Sequence, residues 1–167
     1  MTEDKTGFRA LFEDFAQKVN APDLKLNEDG EAMVIMGEDL VVNVHYNEDR
    51  GEILVYSIVA DMDVVEDREG LLERMMRANF FWIGSEGFTL SLDSDSDRVL
   101  VIDRRNESYF IDADMFATYL DMCASVVTDW RREILAAGPQ WPEDTDSTDD
   151  SPLADESYAG ETNLFRV

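Results

Sequence analysis

Cysteine occurs once in 167 residues, so no disulfide can close within the chain, and a cytoplasmic location fits. Histidine also occurs once, which leaves no second imidazole to share a metal. Basic residues are scarce: 14 Lys and Arg stand against 38 Asp and Glu, a net charge of −24. Phosphate contacts need Lys and Arg, so a direct nucleic-acid binder is excluded as a class, and docking on anionic membrane surfaces is disfavoured. No apolar run approaches the roughly 18 residues of a membrane span, so no membrane insertion is expected. The opening Met-Thr-Glu-Asp-Lys lacks the basic-then-apolar order of a secretory signal.

What is present is a hydrophobic content of 44%, enough for the core of one ordinary domain. That domain is expected over residues 1–137. Gly138 and Pro139 supply a helix stop, and from Glu143 to Ser151 nearly every residue is Asp, Glu, Ser or Thr. Residues 138–167 therefore read as an acidic, flexible tail. The first expectation is a solvated tail that keeps the protein soluble; the second is that Tyr158, Leu164, Phe165 and Val167 near its end form a small apolar hook, suited to an apolar groove on its own or a neighbouring chain.

Within the domain the punctuation is regular. Phe8, Leu11, Phe12, Phe15 and Val19 repeat at helical spacing and stop at Asn20-Ala21-Pro22. Strands are predicted over 32–36, 40–46 and 53–60, separated by two turn signals, Gly37-Glu38-Asp39 and Asn47 to Gly51. Asp63 and Glu66 have the spacing of a capping box, predicting a second helix from there to about Asn79, with Gly70 a weak point in its middle. Phe88 to Asp93 alternates, whereas Val99 to Ile102 and Tyr109 to Ile111 are apolar on both faces, predicting three more strands. A third helix starts at Asp112 and ends near Arg131 and Arg132. The fold class is α+β in the order αβββαβββα.

Apolar residues exceed what one copy is expected to hide. On the third helix Phe116, Leu120, Cys123, Val127, Trp130 and Ile134 make one stripe, and Met115, Tyr119, Met122 and Val126 make a second beside it. Leu54, Tyr56 and Ile58 alternate with Ile53, Val55 and Val59, so this strand is apolar on both sides. A two-fold homodimer is the simplest way to cover the surplus, with Phe110 and the second helical stripe as the expected interface.

These elements resemble the class I type III secretion chaperones, the Tir-chaperone or CesT-like family. The likeness rests on Leu71-Leu72-Glu-Arg-Met-Met-Arg-Ala78-Asn79, Gly87-Phe88-Thr-Leu90-Ser-Leu92-Asp93, the Arg98 to Ile102 strand, and Trp130-Arg-Arg-Glu-Ile134-Leu135. It runs from about Phe8 to Ala137. The resemblance implies an antiparallel twisted sheet with three helices and a homodimer. It also implies binding, without ATP, of the N-terminal segment of a secreted effector in extended form. By the family's geometry the client groove lies between the first helix and the fourth and fifth strands, so that Phe8, Leu11, Phe12 and Phe15 meet Phe88, Leu90, Leu92, Val99 and Val101. The acidic tail departs from the family pattern.

Catalytic and metal chemistry find no support in the sequence. His45 alternates with Asn43 on the strand face opposite Val42, Val44 and Tyr46, a solvated or polar-paired position. Cys123 falls in the core stripe, where a thiol is inert. Asp93-Ser-Asp95-Ser-Asp97 imitates a calcium loop, but Arg98 stands where the turn glycine belongs and Arg104 where the bidentate glutamate belongs, so it reads as a hairpin turn. Gly84-Ser-Glu-Gly87 has no lysine and no following helix to cradle a phosphate. No enzyme activity and no cofactor are expected. Two other readings stay open: a regulatory interaction protein on the same fold, and an acidic mimic or inhibitor that occupies the basic site of a nuclease or toxin and whose binding would be salt-sensitive.

Overall fold

The computed structural model describes residues 7–135. The acidic tail and its apolar hook lie outside the described residues.

Helix α1 (Phe8–Lys18) leads into strands β1 (Glu31–Met36), β2 (Leu40–Asn47) and β3 (Glu52–Asp61). Helix α2 (Arg68–Asn79), strands β4 (Thr89–Asp93) and β5 (Arg98–Asn106) and helix α3 (Ala113–Leu135) follow. The five strands form one antiparallel sheet in the order β1-β2-β3-β5-β4. This is the α+β arrangement expected from the sequence, with one strand fewer than predicted. The missing strand is Tyr109–Ile111. There the Asn106 side-chain oxygen accepts from the Ser108 N–H at 3.0 Å and from its hydroxyl at 2.6 Å, so residues Glu107–Tyr109 wind into a 3-10 turn. Phe110 turns inward from it while Tyr109 and Ile111 stay exposed.

The start of α2 also differs. Met62–Val64 forms a separate 3-10 turn, and the cap is Asp67, whose carboxylate accepts from the Gly70 N–H at 2.9 Å. Gly70 therefore belongs to the first turn of α2, where the Asp67 carboxylate fills the space a Cβ would need. Helix α3 is capped as predicted, Asp112 accepting from the Met115 N–H at 2.8 Å.

All helices lie against one face of the sheet. Val34, Val42, Val44, Ile53, Val55, Val99, Val101 and Leu90 point under them, and the α1 phenylalanines close the core against α3. Phe8, Phe15 and Phe110 each meet Phe116 nearly edge-on, with ring centroids 5.1, 5.2 and 5.1 Å away, a geometry that aromatic quadrupoles favour. Half of the second stripe of α3 is absorbed here as well. Tyr119 and Val126 are buried, and the Tyr119 hydroxyl donates to Asp103 at 2.8 Å. One chain thus covers most of the arc expected to stay wet, because Phe88, Tyr109 and Phe110 stack around Tyr119.

Candidate functional site

The other face of the sheet has no layer over it. Met33 and Ile35 of β1 are 69% and 72% exposed, and Val41, Leu54, Tyr56, Ile58, Leu100 and Ile102 are half-buried. Strand pairing sets these side chains in rows, Met33 beside Asn43, then Tyr56, then Ile102, and Ile35 beside Val41. Two shallow depressions run along them, of about 770 and 410 Å³, and share Met33 and Asn43. Together they make one trough. Its interior positions carry no carboxylate, ammonium or guanidinium, although the chain's net charge is −24. Charges sit at its margins: Asp23, Lys25, Glu31 and Asp93 line the larger depression, and Asp39, Asp61, Arg98 and Arg131 the smaller. His45 and Asn43 lie in this face, half-buried, as the alternation predicts. Strand β1 is also a sheet edge, so the outer side of its backbone is unpaired by any other strand.

A second apolar surface follows α2. Phe80, Phe81, Trp82 and Ile83 are 52 to 81% exposed, with Met76 exposed on the preceding turn. Phe81 and Trp82 have φ of 52° and 55°, the left-handed region that bulky residues rarely occupy. Both ends of this segment are pinned. Asn79 pairs with the backbone of Leu90 on β4, and the Trp130 indole N–H donates to the Gly84 carbonyl at 3.1 Å. Gly84 has to be glycine, since a Cβ there would lie 2.8 Å from the Ala78 Cβ. The strain is held in place by these anchors, which present four large apolar side chains to solvent.

The groove implied between the first helix and the fourth and fifth strands is not open. Phe8, Phe12, Phe15, Phe88, Leu90, Val99 and Val101 are buried in the chain's own core, and only Leu11 and Leu92 are partly accessible. Nor do the two halves of that set meet as a groove: the α1 rings stack on Tyr46, Phe110 and Phe116, whereas Phe88 stacks on Tyr119. Of the expected dimer contacts, Phe110, Tyr119 and Val126 are buried, Met115 is half-buried and Met122 is exposed. The sequence reading missed Phe80–Ile83 altogether. An uninterrupted apolar run without helical or strand period gave no sign of its exposure.

No cluster of His, Cys, Asp and Glu among the described residues is arranged to hold a metal, and no helix among them is long and apolar enough to cross a membrane. Asp93–Asp97 is a hairpin turn between β4 and β5. Asp93 accepts from the Asp95 N–H at 3.1 Å, and Asp97 takes two hydrogen bonds from Arg68 at 2.9 Å each. The Ser96 hydroxyl and the Asp95 N–H hold the Asp93 carboxyl below its ordinary value, and the Arg68 hydrogen bonds do the same for Asp97. These carboxylates are occupied within the protein. Cys123 is buried, and desolvation, aided by the charge of Asp103, pushes its thiol up to about 12.

Fold and surfaces together define a binding protein, built around an uncovered apolar sheet face and a rigid apolar projection. Its family follows from the sequence as a whole: the profile of the Tir chaperone protein (CesT) family matches residues 10–131, and the chain belongs to that family. It is thereby placed among chaperones and not among enzymes. No curated protein sequence matches the chain. Among solved structures, a chain of the ExsC–ExsE complex is similar with a TM-score of 0.66 at 20% identity, over 76% of this chain and 92% of that one. A chain of the HopA1–SchA chaperone–effector complex is similar with a TM-score of 0.64 at 13% identity, covering 75% and 93%. The Yersinia pestis type III secretion chaperone SycH, in complex with a stable fragment of YscM2, gives 0.59 at 20% identity, covering 74% and 98%. At these identities the likeness is one of fold.

Proposed function

We propose that this protein is a cytoplasmic type III secretion chaperone that binds the N-terminal segment of a secreted effector in extended form and without ATP. The observation that carries this reading is the trough with apolar central rows on the open sheet face, beside the edge of β1 that no other strand pairs. An extended segment gains backbone hydrogen bonds along such an edge and sets alternate side chains into the apolar rows next to it. That the similar folds include chaperones solved with their partners supports the same reading. The buried phenylalanines of α1 keep an indirect role here, since they brace the sheet from its other side.

The functional unit in this reading is a homodimer, and its contact is the pinned Phe80–Ile83 segment with Met76. Two copies of so acidic a chain repel unless they meet over uncharged surface. This segment supplies it. Most of the α3 stripe named by the sequence is already spent on the core.

The test is capture of clients from the native cell followed by limited proteolysis. A protected N-terminal segment of a larger exported protein, retained without nucleotide, is the expected result. Ile35→Asp is expected to abolish co-purification while leaving the melting temperature within a few degrees, because Ile35 is exposed. Equal capture by wild type and variant, or a client protected only in a folded domain, defeats the proposal.

A further inference from the structure

The two edges of the sheet differ in which face their outward residues serve. At β4 Leu90 turns its N–H and C=O outward, but Asn79 already takes both, and the Leu90 side chain is buried on the helix side. At β1 the outward residues are Glu31, Met33 and Ile35, since an edge strand directs alternate residues away from its neighbour. Asn27 reaches Glu31 from outside, its Oδ1 accepting from the Glu31 N–H and its own N–H donating to the Glu31 carbonyl, both at 2.8 Å. Pairing therefore stops at Glu31. Beyond it the backbone groups of Met33 and Ile35 have no partner among the described residues, and the side chains of the same two residues are the exposed ends of the apolar rows.

The charges around the trough are unequal. At the smaller depression two carboxylates meet two guanidinium groups: Asp61 accepts from Arg98 at 2.6 Å, and Asp39 lies 3.8 Å from Arg131. That side is balanced. The larger depression sets Asp23, Glu31 and Asp93 against Lys25 alone, and Asp93 is engaged by the Ser96 hydroxyl and the Asp95 N–H. Asp23 and Glu31 are exposed, and neither carboxylate has an ion pair among the described residues. Glu31 shares the open face with Met33, two residues away along β1.

We propose that the segment taken by this trough carries two apolar residues at alternate positions, set beside Met33 and Ile35, and a lysine or arginine two positions further on, set beside Glu31 and Asp23. The spacing follows from the pleat, which puts every second side chain of an added strand on the open face. The first two such positions extend the apolar rows. The next lies beside Glu31, where backbone pairing has ended and a long cationic side chain still reaches the carboxylates. An anion there is opposed by the same groups and by the field of a chain at −24. A second copy of this edge fits less well, because antiparallel pairing of Met33 with Ile35 would set Gly37 where the cation belongs. This specificity deepens the chaperone reading and rests on it for the natural client.

The experiment titrates the isotope-labelled full chain with the end-blocked peptide Lys-Thr-Ile-Thr-Ile-Thr-Lys, which offers a lysine whichever way the added strand runs. The amide signals of Met33 and Ile35 are expected to shift. Exchanging both lysines for glutamine should weaken binding severalfold and exchanging them for glutamate further still, and the isomer Lys-Thr-Ile-Ile-Thr-Thr-Lys, with its apolar residues adjacent, should also bind severalfold more weakly. Asp23→Asn together with Glu31→Gln should erase the difference between the lysine and glutamine peptides, and Ile35→Asp should abolish binding of them all. Equal affinity for the lysine and glutamate peptides, equal affinity for the two isomers, or binding that survives Ile35→Asp would each overturn the proposal. Met33 and Ile35 signals that ignore every peptide and move when the protein is diluted would overturn it too, by giving the edge to a second copy. The peptides involve no natural client, so a captured client with no peptide preference defeats this inference alone, and a peptide preference with no captured client defeats only the chaperone reading.

Discussion

The side-chain amide of Asn79 satisfies both backbone groups of Leu90, its Nδ2 donating to the carbonyl at 2.9 Å and its Oδ1 accepting from the N–H at 2.8 Å. This pair ties the end of α2 to β4 at the far edge of the sheet. It also fixes where the chain must turn, one residue before the strained Phe80–Ile83 projection.

Asn79→Ala removes both partners at once and leaves a partly buried N–H and C=O of β4 without them. The expected loss is about 2–4 kcal/mol of unfolding free energy, by the cost of two unsatisfied groups. Urea denaturation measures it. Hydrogen exchange at the amides of residues 80–84 should quicken in the same variant, and a loss below about 0.5 kcal/mol would show that water replaces the pair without penalty.

Trp82→Glu places a carboxylate in the proposed contact between copies. Sedimentation velocity is expected to show a dimer for the wild type and a monomer for this variant at the same concentration. Phe81→Gly should act differently on the two properties. It relieves a left-handed backbone that costs about 1–2 kcal/mol for a residue with a side chain, yet removes a ring from the contact, so the monomer should hold its stability while the dimer weakens.

Tyr46 gives a pH dependence with a defined sign. Burial first, and then the hydrogen bond its hydroxyl donates to Glu107, push the phenol from its ordinary value near 10 up to about 12. The unfolded chain therefore releases this proton before the folded one does. Stability from this group is complete below pH 10 and is lost as the pH rises from 10 through 12. Chemical denaturation at pH 9, 10 and 11 should show the decline, and Tyr46→Phe should flatten it.

Cys123 should resist alkylation in the folded protein. Its burial and its thiol pKa of about 12 leave little thiolate at neutral pH. Iodoacetamide followed by mass spectrometry is expected to modify it only after denaturant passes the unfolding midpoint. Rapid modification under native conditions would mean that the α3 core opens readily.

Much of the fold was legible in the sequence because its signals are local. The helical spacing of Phe8, Phe12 and Phe15 and the alternation of Ile53, Val55 and Val59 with Leu54, Tyr56 and Ile58 each identify an element and its faces. The doubly apolar β3 also announced the uncovered sheet face, since three helices protect only one side. What stayed hidden depends on contacts distant in sequence. Tyr119 looked spare on its helix, yet Asp103 on β5 accepts its hydroxyl and Phe88 covers its ring. Tyr109–Ile111 has strand composition, but the Asn106 side chain takes the backbone into a turn first. Most residues of the client groove implied by resemblance are buried in this chain for a related reason: side chains shared with a family can serve as core and as surface, and only packing separates the two uses.

The unguarded rim of β1 has a consequence for handling as well as for binding. Asn27 takes both outward backbone groups of Glu31, but beyond it no strand pairs the edge, and with Met33 and Ile35 exposed there it is a template on which further copies can stack. Mutual repulsion between copies bearing −24 charges is what opposes this fibre-like growth. Near the isoelectric point of about 4.1 that repulsion vanishes, so mild acidification should turn a clear solution turbid before the domain itself unfolds.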